Sequence, residues 1–347
     1  MNILLTSAGR RSYLVQYFID ALDGRGKVIA ANSAACPAFY RADDSVITPL
    51  IYDSRYIPFL LDYCQNNAVD LLIPLFDVDI PVLAKSKPSF EAIGTQVIAP
   101  GIEIAEICND KLLTVNYLKK RGFDVPVTLN SLEDALDHIK NGNIAYPLFI
   151  KPRWGMGSIG VHEARNEATL RAAWILTEDA IGHSYLKYES QEDKDHGILV
   201  QEKLEGEEYG LDVICDLSGT YESTIVKKKL AMRSGETDSA IVVRSEALEQ
   251  LGKRLAEACP HPGNMDVDVF VSGDRCVVLE LNARFGGGYP FSHASGVNLP
   301  LAIIEWSLGN EIPARCLASQ GGTFSYKEIG IVTPEVNKRV SREASYG

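Results

Sequence analysis

The first hundred residues alternate between short apolar runs and stretches whose apolar residues recur at helical spacing. Residues 3–5 form one run, ending at Thr6-Ser7-Ala8-Gly9, after which Tyr13, Leu14, Tyr17, Phe18 and Leu22 line one helical face. The pattern predicts a strand, a small-residue turn and a helix. Residues 28–31 predict a second buried strand, 56–63 a helix, and 70–75 a third strand with Asp77 and Asp79 just past its end. Such alternation implies a parallel, doubly wound sheet with its ligand edge at the strand C-termini. Residues 1–105 are therefore expected to form one α/β domain.

The pattern then changes. Asn109-Asp110 predicts the cap of a helix over 111–121, which Gly122 stops; Pro126 opens an extended segment, and 134–140 reads as another helix. A strand over 149–152 leads into Arg153-Trp154-Gly155-Met156-Gly157-Ser158-Ile159-Gly160 and a short strand over 161–163. Asn166 caps the following helix, with Leu170, Ala173 and Trp174 on one face. The polar stretch 187–197 reads as a surface loop or boundary. Strands are expected over 198–202, 209–215, 223–228, 241–244, 265–271 and 276–281, with a helix near 247–258. This half is therefore α+β with antiparallel sheets, and the basic end, 338–342, is expected to be mobile.

Composition narrows the function. Over 347 residues, 34 Lys+Arg against 46 Asp+Glu give a net charge of −12, with basic residues scattered. That is unsuited to holding a phosphate backbone by counterion release, so nucleic acid is not expected as a partner. The seven cysteines (36, 64, 108, 215, 259, 276, 316) make no CxxC pair and read as reduced thiols. No stretch approaches the roughly 18 apolar residues of a membrane span, and Arg10 and Arg11 follow the first apolar run instead of preceding it. The expectation is a soluble, unprocessed, cytoplasmic protein.

Three constellations carry chemistry. Gly155 to Gly160 matches GxGxxG but runs from strand to strand, so it is neither a dinucleotide fingerprint nor a Walker loop. It reads as a flexible hairpin whose N–H groups close over an anion, with Lys151 at its root. In the second, Ser272 to Asp274 signals a hairpin between two alternating runs. Asp266, Asp268, Glu280, Asn282 and Arg284 then share one face, Asp268 opposite Glu280 and Asp266 opposite Asn282, while Val269, Val271, Leu279 and Leu281 fill the other. Facing acids repel, and an all-oxygen set of this kind suits Mg²⁺. The six histidines show no zinc spacing. The third is Gln201-Glu202-Lys203-Leu204-Glu205-Gly206-Glu207-Glu208, a strand end, glycine turn and acidic strand start suited to a purine edge and ribose hydroxyls.

In this order the blocks resemble the ATP-grasp superfamily over nearly the whole chain, through Asn109-Asp110-Lys111, Tyr146-Pro147-Leu148-Phe149-Ile150-Lys151-Pro152, the glycine flap, the 199–209 hinge and Leu279-Glu280-Leu281-Asn282-Ala283-Arg284. Within it the chain is most similar to single-unit proteins like the carboxyphosphate half of the carbamoyl-phosphate synthase large chain, and to carboxylate-amine ligases. The resemblance implies a Rossmann-like leading domain (1–105), a small lobe with the flap (106–197), a large lobe with the metal site (198–335) and a tail (336–347). It implies ATP held by Lys111, Lys151, Gly155, Gly157, Ser158, Gly160, Gln201, Glu202, Lys203, Leu204 and Glu208. Mg²⁺, expected as two ions with Mn²⁺ as a substitute, falls to Asp268, Glu280 and Asn282, with Asp266 the competing first ligand. Arg284, Lys151 and Arg233 are the implied catalytic side chains, Arg233 within a mobile basic loop over 227–237. Where relatives commonly carry Asn-Pro-Arg, this chain has Asn282-Ala283-Arg284, which keeps the spacing and loses the rigid turn. The implied activity is ligation of a carboxylate to an amine through an acyl phosphate, with small-molecule substrates and a homodimer left open. The alternatives are a carboxyphosphate-forming enzyme and a non-catalytic ATP-binding module.

Overall fold

The computed structural model describes residues 1–191 and 193–333. The basic end at 338–342 and the tail at 336–347 lie outside these residues.

The leading domain is a parallel five-stranded sheet in the order β3-β2-β1-β4-β5, built from β1 (Asn2–Thr6), β2 (Lys27–Asn32), β3 (Asp44–Ile47), β4 (Leu71–Pro74) and β5 (Gln96–Val97). The edge strand β3 is a difference from the sequence reading; its four residues are too few to show a period. Helices α1 (Ser12–Leu22), α2 (Tyr56–Asn66), α3 (Asp79–Glu91) and α4 (Ile102–Asn109) accompany the sheet. The strand order reverses between β1 and β4, so the loops after these two strands meet where ligands of such sheets collect.

Helix α5 (Lys111–Lys120) leads into the small lobe, a four-stranded antiparallel sheet in the order β6-β9-β7-β8: β6 (Thr128–Leu129), β7 (Leu148–Pro152), β8 (His162–Ala164) and β9 (Ile198–Glu202). Helices α6 (Leu132–Lys140) and α7 (Glu167–Gly182) belong to this lobe. Asn166 caps α7, its side chain accepting from Thr169 N while Thr169 Oγ1 accepts from Asn166 N. The stretch expected to be a loop from 187 begins instead inside α8 (Leu186–Glu189). Its ring Tyr188 stacks on Tyr52, and the preceding Tyr185 packs on Phe76, both of the leading domain.

The large lobe is a six-stranded sheet, order β14-β13-β10-β11-β12-β15: β10 (Glu207–Cys215), β11 (Tyr221–Arg233), β12 (Glu236–Val243), β13 (Gly263–Ser272), β14 (Arg275–Asn282) and β15 (Phe324–Tyr326). Helix α9 (Glu246–Ala258) covers one face. The segment 227–237, expected as a mobile loop, is a correction: it is the two arms of the β11–β12 hairpin, paired from Val226–Val243 to Arg233–Glu236. Helices α10 (Tyr289–Ala294) and α11 (Leu299–Ser307) return to the leading domain, where Phe285, Tyr289, Leu299 and Ile303 join Ile3, Leu5, Phe18 and Val28 in one buried cluster. The small lobe has a separate core around Leu148, Ile150, Leu170 and Val200.

Candidate active site

The site is built on the β13–β14 hairpin. Asp268 pairs with Glu280 and Asp266 with Asn282, the expected register reached by an unexpected route. Ser272 pairs with Arg275 across a two-residue turn, and one extra residue enters β14 where the pairing steps from Val269–Val278 to Asp268–Glu280. That residue is Leu279. Expected in the core, it lines the cleft instead, and Val278 takes the core position beside Val267, Val269 and Leu281.

Two cavities meet over this hairpin. The larger, about 330 Å³, lies between the lobes; the smaller, about 130 Å³, lies toward the leading domain. Asp268 and Glu280 line both, together with Met156 and Gly157 of the flap and Met232 and Gly235 of the β11–β12 hairpin. Lys111, Lys151, Gly155, Ser158, Gln201, Glu202, Leu204 and Glu208 line only the larger, Asp266, Asn282 and Arg284 only the smaller. Asp268 thus stands at the junction, and Asp266 belongs to the second chamber.

Each cation has a structural reason for its place. The Asp110 carboxylate accepts from Leu112 N (2.9 Å) and Leu113 N (3.2 Å), capping α5, and pairs with Arg153 at 2.7 Å. Lys111, the first residue of that helix, stands 3.3 Å from Glu280 and donates to the Gly155 carbonyl at the flap root. Gly155 has φ +100°, and a Cβ there would meet Leu186 Cδ2 at 2.3 Å, so only glycine fits. Lys229 reaches across β10 to Asp268 (2.6 Å) and Glu208 (2.7 Å), passing the bare Gly210. Lys227, two residues earlier on the same face, forms a buried pair with Asp212, which also accepts from Ser292 Oγ (2.5 Å) and Asn264 Nδ2 (3.0 Å). Arg284 pairs with Asp77 at 2.8 Å and Asp266 at 3.3 Å.

Burial competes with these charges. It pushes Asp268 up to about 6 against the pull of Lys229, with Asp266 and Glu280 adding to the rise. Burial also lowers Lys151 to about 8, helped by the nearby Lys111 and resisted by Glu280 and Asp268. Burial raises Glu280, yet Lys111, Lys151 and Arg284 outweigh it and hold the carboxyl below its usual range. In the same way burial lowers Arg284, and Asp77 and Asp266 more than reverse it.

Among the described residues no three His, Cys, Asp or Glu side chains cluster as a metal cage. The donor set is two facing carboxylates, Asp268 and Glu280, with the Asn282 amide beside them, each carboxylate now met by a lysine. This fits Mg²⁺, which takes one or two carboxylates and completes its shell with phosphate oxygens and water.

Some expected residues lie elsewhere. Arg233 pairs with Asp238 at 2.9 Å along the exposed hairpin arm and lines neither cavity; the hairpin presents Met232, Gly235, Glu236 and Thr237 instead. The Lys203 side chain leaves for Glu163 (2.7 Å), and Gly160, against Pro152 and Ala180, lines neither cavity. The Gln201 amide donates to Thr128 Oγ1 (2.8 Å) and the Glu202 carboxylate accepts from Val127 N (2.9 Å), which leaves backbone to face the cleft. Asp212 was missed by sequence reasoning, and so were the inward turns of Lys227 and Lys229, which a reading of 227–237 as a loop conceals.

Comparisons follow this geometry. A family described as PylC-like, N-terminal domain, matches residues 3–98, and one described as ATP-grasp domain matches 108–288. The carbamoyl phosphate synthase large chain of Pseudothermotoga lettingae is 23% identical over 291 residues, covering 80% of this chain and 24% of that protein. The chain therefore spans about a quarter of the length of that curated relative. The biotin carboxylase domain of Hydrogenobacter thermophilus 2-oxoglutarate carboxylase, in complex with MgADP, ADP and bicarbonate, superposes with a TM-score of 0.69 at 16% identity, over 89% of this chain and 70% of that one. The L-amino acid ligase from Bacillus licheniformis does so with 0.68 at 18% identity, over 92% and 76%. No helix of the described residues is long and apolar enough to cross a membrane.

Proposed function

Because the chain belongs to the ATP-grasp domain family, with more than half its length matched, we propose that it is an ATP-dependent ligase joining a carboxylate to an amine through an acyl phosphate. The observation that carries this reading is the junction of the two cavities at Asp268 and Glu280. Phosphoryl transfer needs a nucleotide on one side of a neutralising centre and an acceptor on the other, nearly in line. Lys111 and Lys151 face the first chamber; Arg284 faces the second.

ATP occupies the larger chamber in this reading, its adenine against the backbone at 201–204 and its ribose near Glu208. Asp268, Glu280 and Asn282 would hold Mg²⁺, which would supply neutralisation of phosphate charge when bound. Lys151 and Lys111 gather negative charge on the nucleotide side. Arg284 steadies the charge that develops on the acceptor carboxylate as it takes the phosphoryl group. The flap, with Met156 and Gly157 at the junction, excludes the water that would hydrolyse the acyl phosphate before an amine attacks.

The smaller chamber, about 130 Å³, holds the liquid share of roughly four water molecules, room for the carboxylate end of an organic acid. An ADP-release screen of amino acids, other carboxylates and amines with Mg²⁺ tests the reading. Release that requires an organic acid and an amine together is the expected result. Release with bicarbonate and ammonia alone would move the assignment to carboxyphosphate formation, and nucleotide binding without release under any pair would leave a binding module.

A further inference from the structure

Arg284 is the last residue of a tight turn, and its own lobe holds it through Asp266 at 3.3 Å and through Asn264 Nδ2, which donates to the Arg284 carbonyl at 3.2 Å. Its N–H donates to the Asn282 carbonyl at 2.7 Å around Ala283, just past the end of β14. Alanine leaves φ free there. Further and shorter restraints come from the leading domain, some 200 residues away in the chain. Asp77, in the loop after β4, holds one end of the guanidinium at 2.8 Å, with both side chains buried. From the adjacent loop after β1, Arg11 Nη1 donates to the Leu75 carbonyl (2.5 Å) and to the Phe285 carbonyl (2.9 Å). One guanidinium nitrogen thus ties Leu75, just past β4 and two residues before Asp77, to the residue following Arg284. Arg11 makes no ion pair within 4.0 Å among the described residues; it lines the smaller chamber, and its two hydrogen bonds join backbone on both sides of it.

We propose that Asp77 and Arg11 are positioning residues: the leading domain aims Arg284 at the junction of the two chambers, through a grip on its side chain and on the backbone beside it. The inference rests on the role given to Arg284 above. Its physical content is that the turn at Ala283 lacks a fixed φ and that the shorter of the two carboxylate contacts on Arg284 comes from the leading domain. Proline at 283 would supply the missing restraint, since Asn282 is extended, as the residue before proline prefers, and Ala283 is not among the left-handed residues.

The experiment compares wild type, Asp77→Asn, Arg11→Lys and Asp77→Asn/Ala283→Pro. ADP release is measured with the carboxylate and amine pair that the screen selects. A loosened catalytic group, misplaced by about 1 Å, costs on the order of 100-fold. Asp77→Asn should lose about that in kcat with KM for ATP within about twofold, because Lys111 and Lys151 are untouched. The added proline should recover about tenfold or more of the loss. Arg11→Lys, which keeps a cation but not the bridging geometry, gives a milder loss of the same kind and serves if Asp77→Asn does not fold. Nitrogen-15 NMR of the arginine side chains, with MgADP bound and Arg284 assigned by Arg284→Lys, reads the restraint without turnover. The wild-type Arg284 signal should be that of a fixed guanidinium and should broaden or collapse toward free arginine in Asp77→Asn. Wild-type kcat and an unchanged Arg284 signal in Asp77→Asn would overturn the proposal, as would a kcat loss on which proline has no effect. If wild type releases no ADP with any pair, the ligase reading falls, and the NMR comparison still decides this proposal.

Discussion

Replacing Lys151 by methionine removes a buried ammonium that folding must hold against its own preference. Lys151 is 8% exposed and lies on β7 beneath the flap, with another cation, Lys111, nearby. Its pKa falls from 10.5 to about 8, chiefly through burial and then through Lys111. At about 1.4 kcal/mol per pH unit, the charged form costs the native state about 3 kcal/mol. The sign follows from proton counting. Between pH 8 and 10.5 the unfolded chain keeps a proton that the native protein has released, so stability rises with pH across that window. Below pH 8 the full cost is present. Methionine has similar length and no charge, so Lys151→Met should be about 3 kcal/mol more stable than wild type at pH 7, the difference fading by pH 10.5. Urea midpoints of the nucleotide-free proteins at pH 7, 9 and 10.5 measure it. The same variant should lose nucleotide affinity. Because phosphate restores the charge, MgATP binding to wild type near pH 8.5 should take up protons, seen as a buffer-dependent heat that Lys151→Met lacks. A methionine variant no more stable than wild type at pH 7, with an unchanged pH dependence, would refute this reasoning.

Three further outcomes are expected. Arg284→Ala should lower kcat by on the order of 10² to 10³, the loss of one preorganised charge, with little change in nucleotide affinity by calorimetry. Asp212→Asn leaves Lys227 buried and unpaired; with side chains 2% and 0% exposed, breaking such a pair costs about 3–5 kcal/mol, read from denaturant unfolding. Gly206→Ala should destabilise by several kcal/mol in the same assay. Its φ is +117°, and the new Cβ would stand 2.2 Å from the Val271 carbonyl oxygen. Backbone atoms there cannot step aside as a flexible side chain would.

Where side-chain alternation carried the information, the sequence was readable. The shared acidic face of the β13–β14 hairpin was readable from period two, but its pairing of Asp268 with Glu280 depends on the bulge as well. The bulge at Leu279 does not, because an inserted residue is an event of the backbone and leaves the composition of both faces plausible. The lysine run at 227–229 was hidden for the opposite reason. Three charges in a row suggest a solvated loop, yet Lys227 and Lys229 turn inward to Asp212 and Asp268 while Lys228 turns outward to Glu207. Asp77 was legible as a residue at a strand end, and its contact with Arg284 was not. A pairing across 207 positions leaves no periodic trace in one sequence. The glycine segment was legible as the tip between two paired strands, while the need for glycine at 155 rests on its φ of +100° and on Leu186, from a stretch adjoining one that read as a polar loop.

The distribution of cores has a consequence for how the molecule opens. The leading domain and the returning helices α10 and α11 share one buried cluster, so neither can expose its interior without the other. The small lobe keeps its own core and meets the leading domain through ring contacts, Tyr188 stacked on Tyr52 and Tyr185 edge-on to Phe76. Contacts of that kind break at far lower cost than a shared interior. Amide hydrogen exchange should therefore separate these two parts of the chain, the large-lobe core around Leu211, Val267 and Leu281 standing apart from both. Residues of the leading domain and α11 should exchange together, by the largest opening, and β7 and β9 by a smaller, separate one. Nucleotide bound between the lobes should slow the second process and leave the first nearly unchanged.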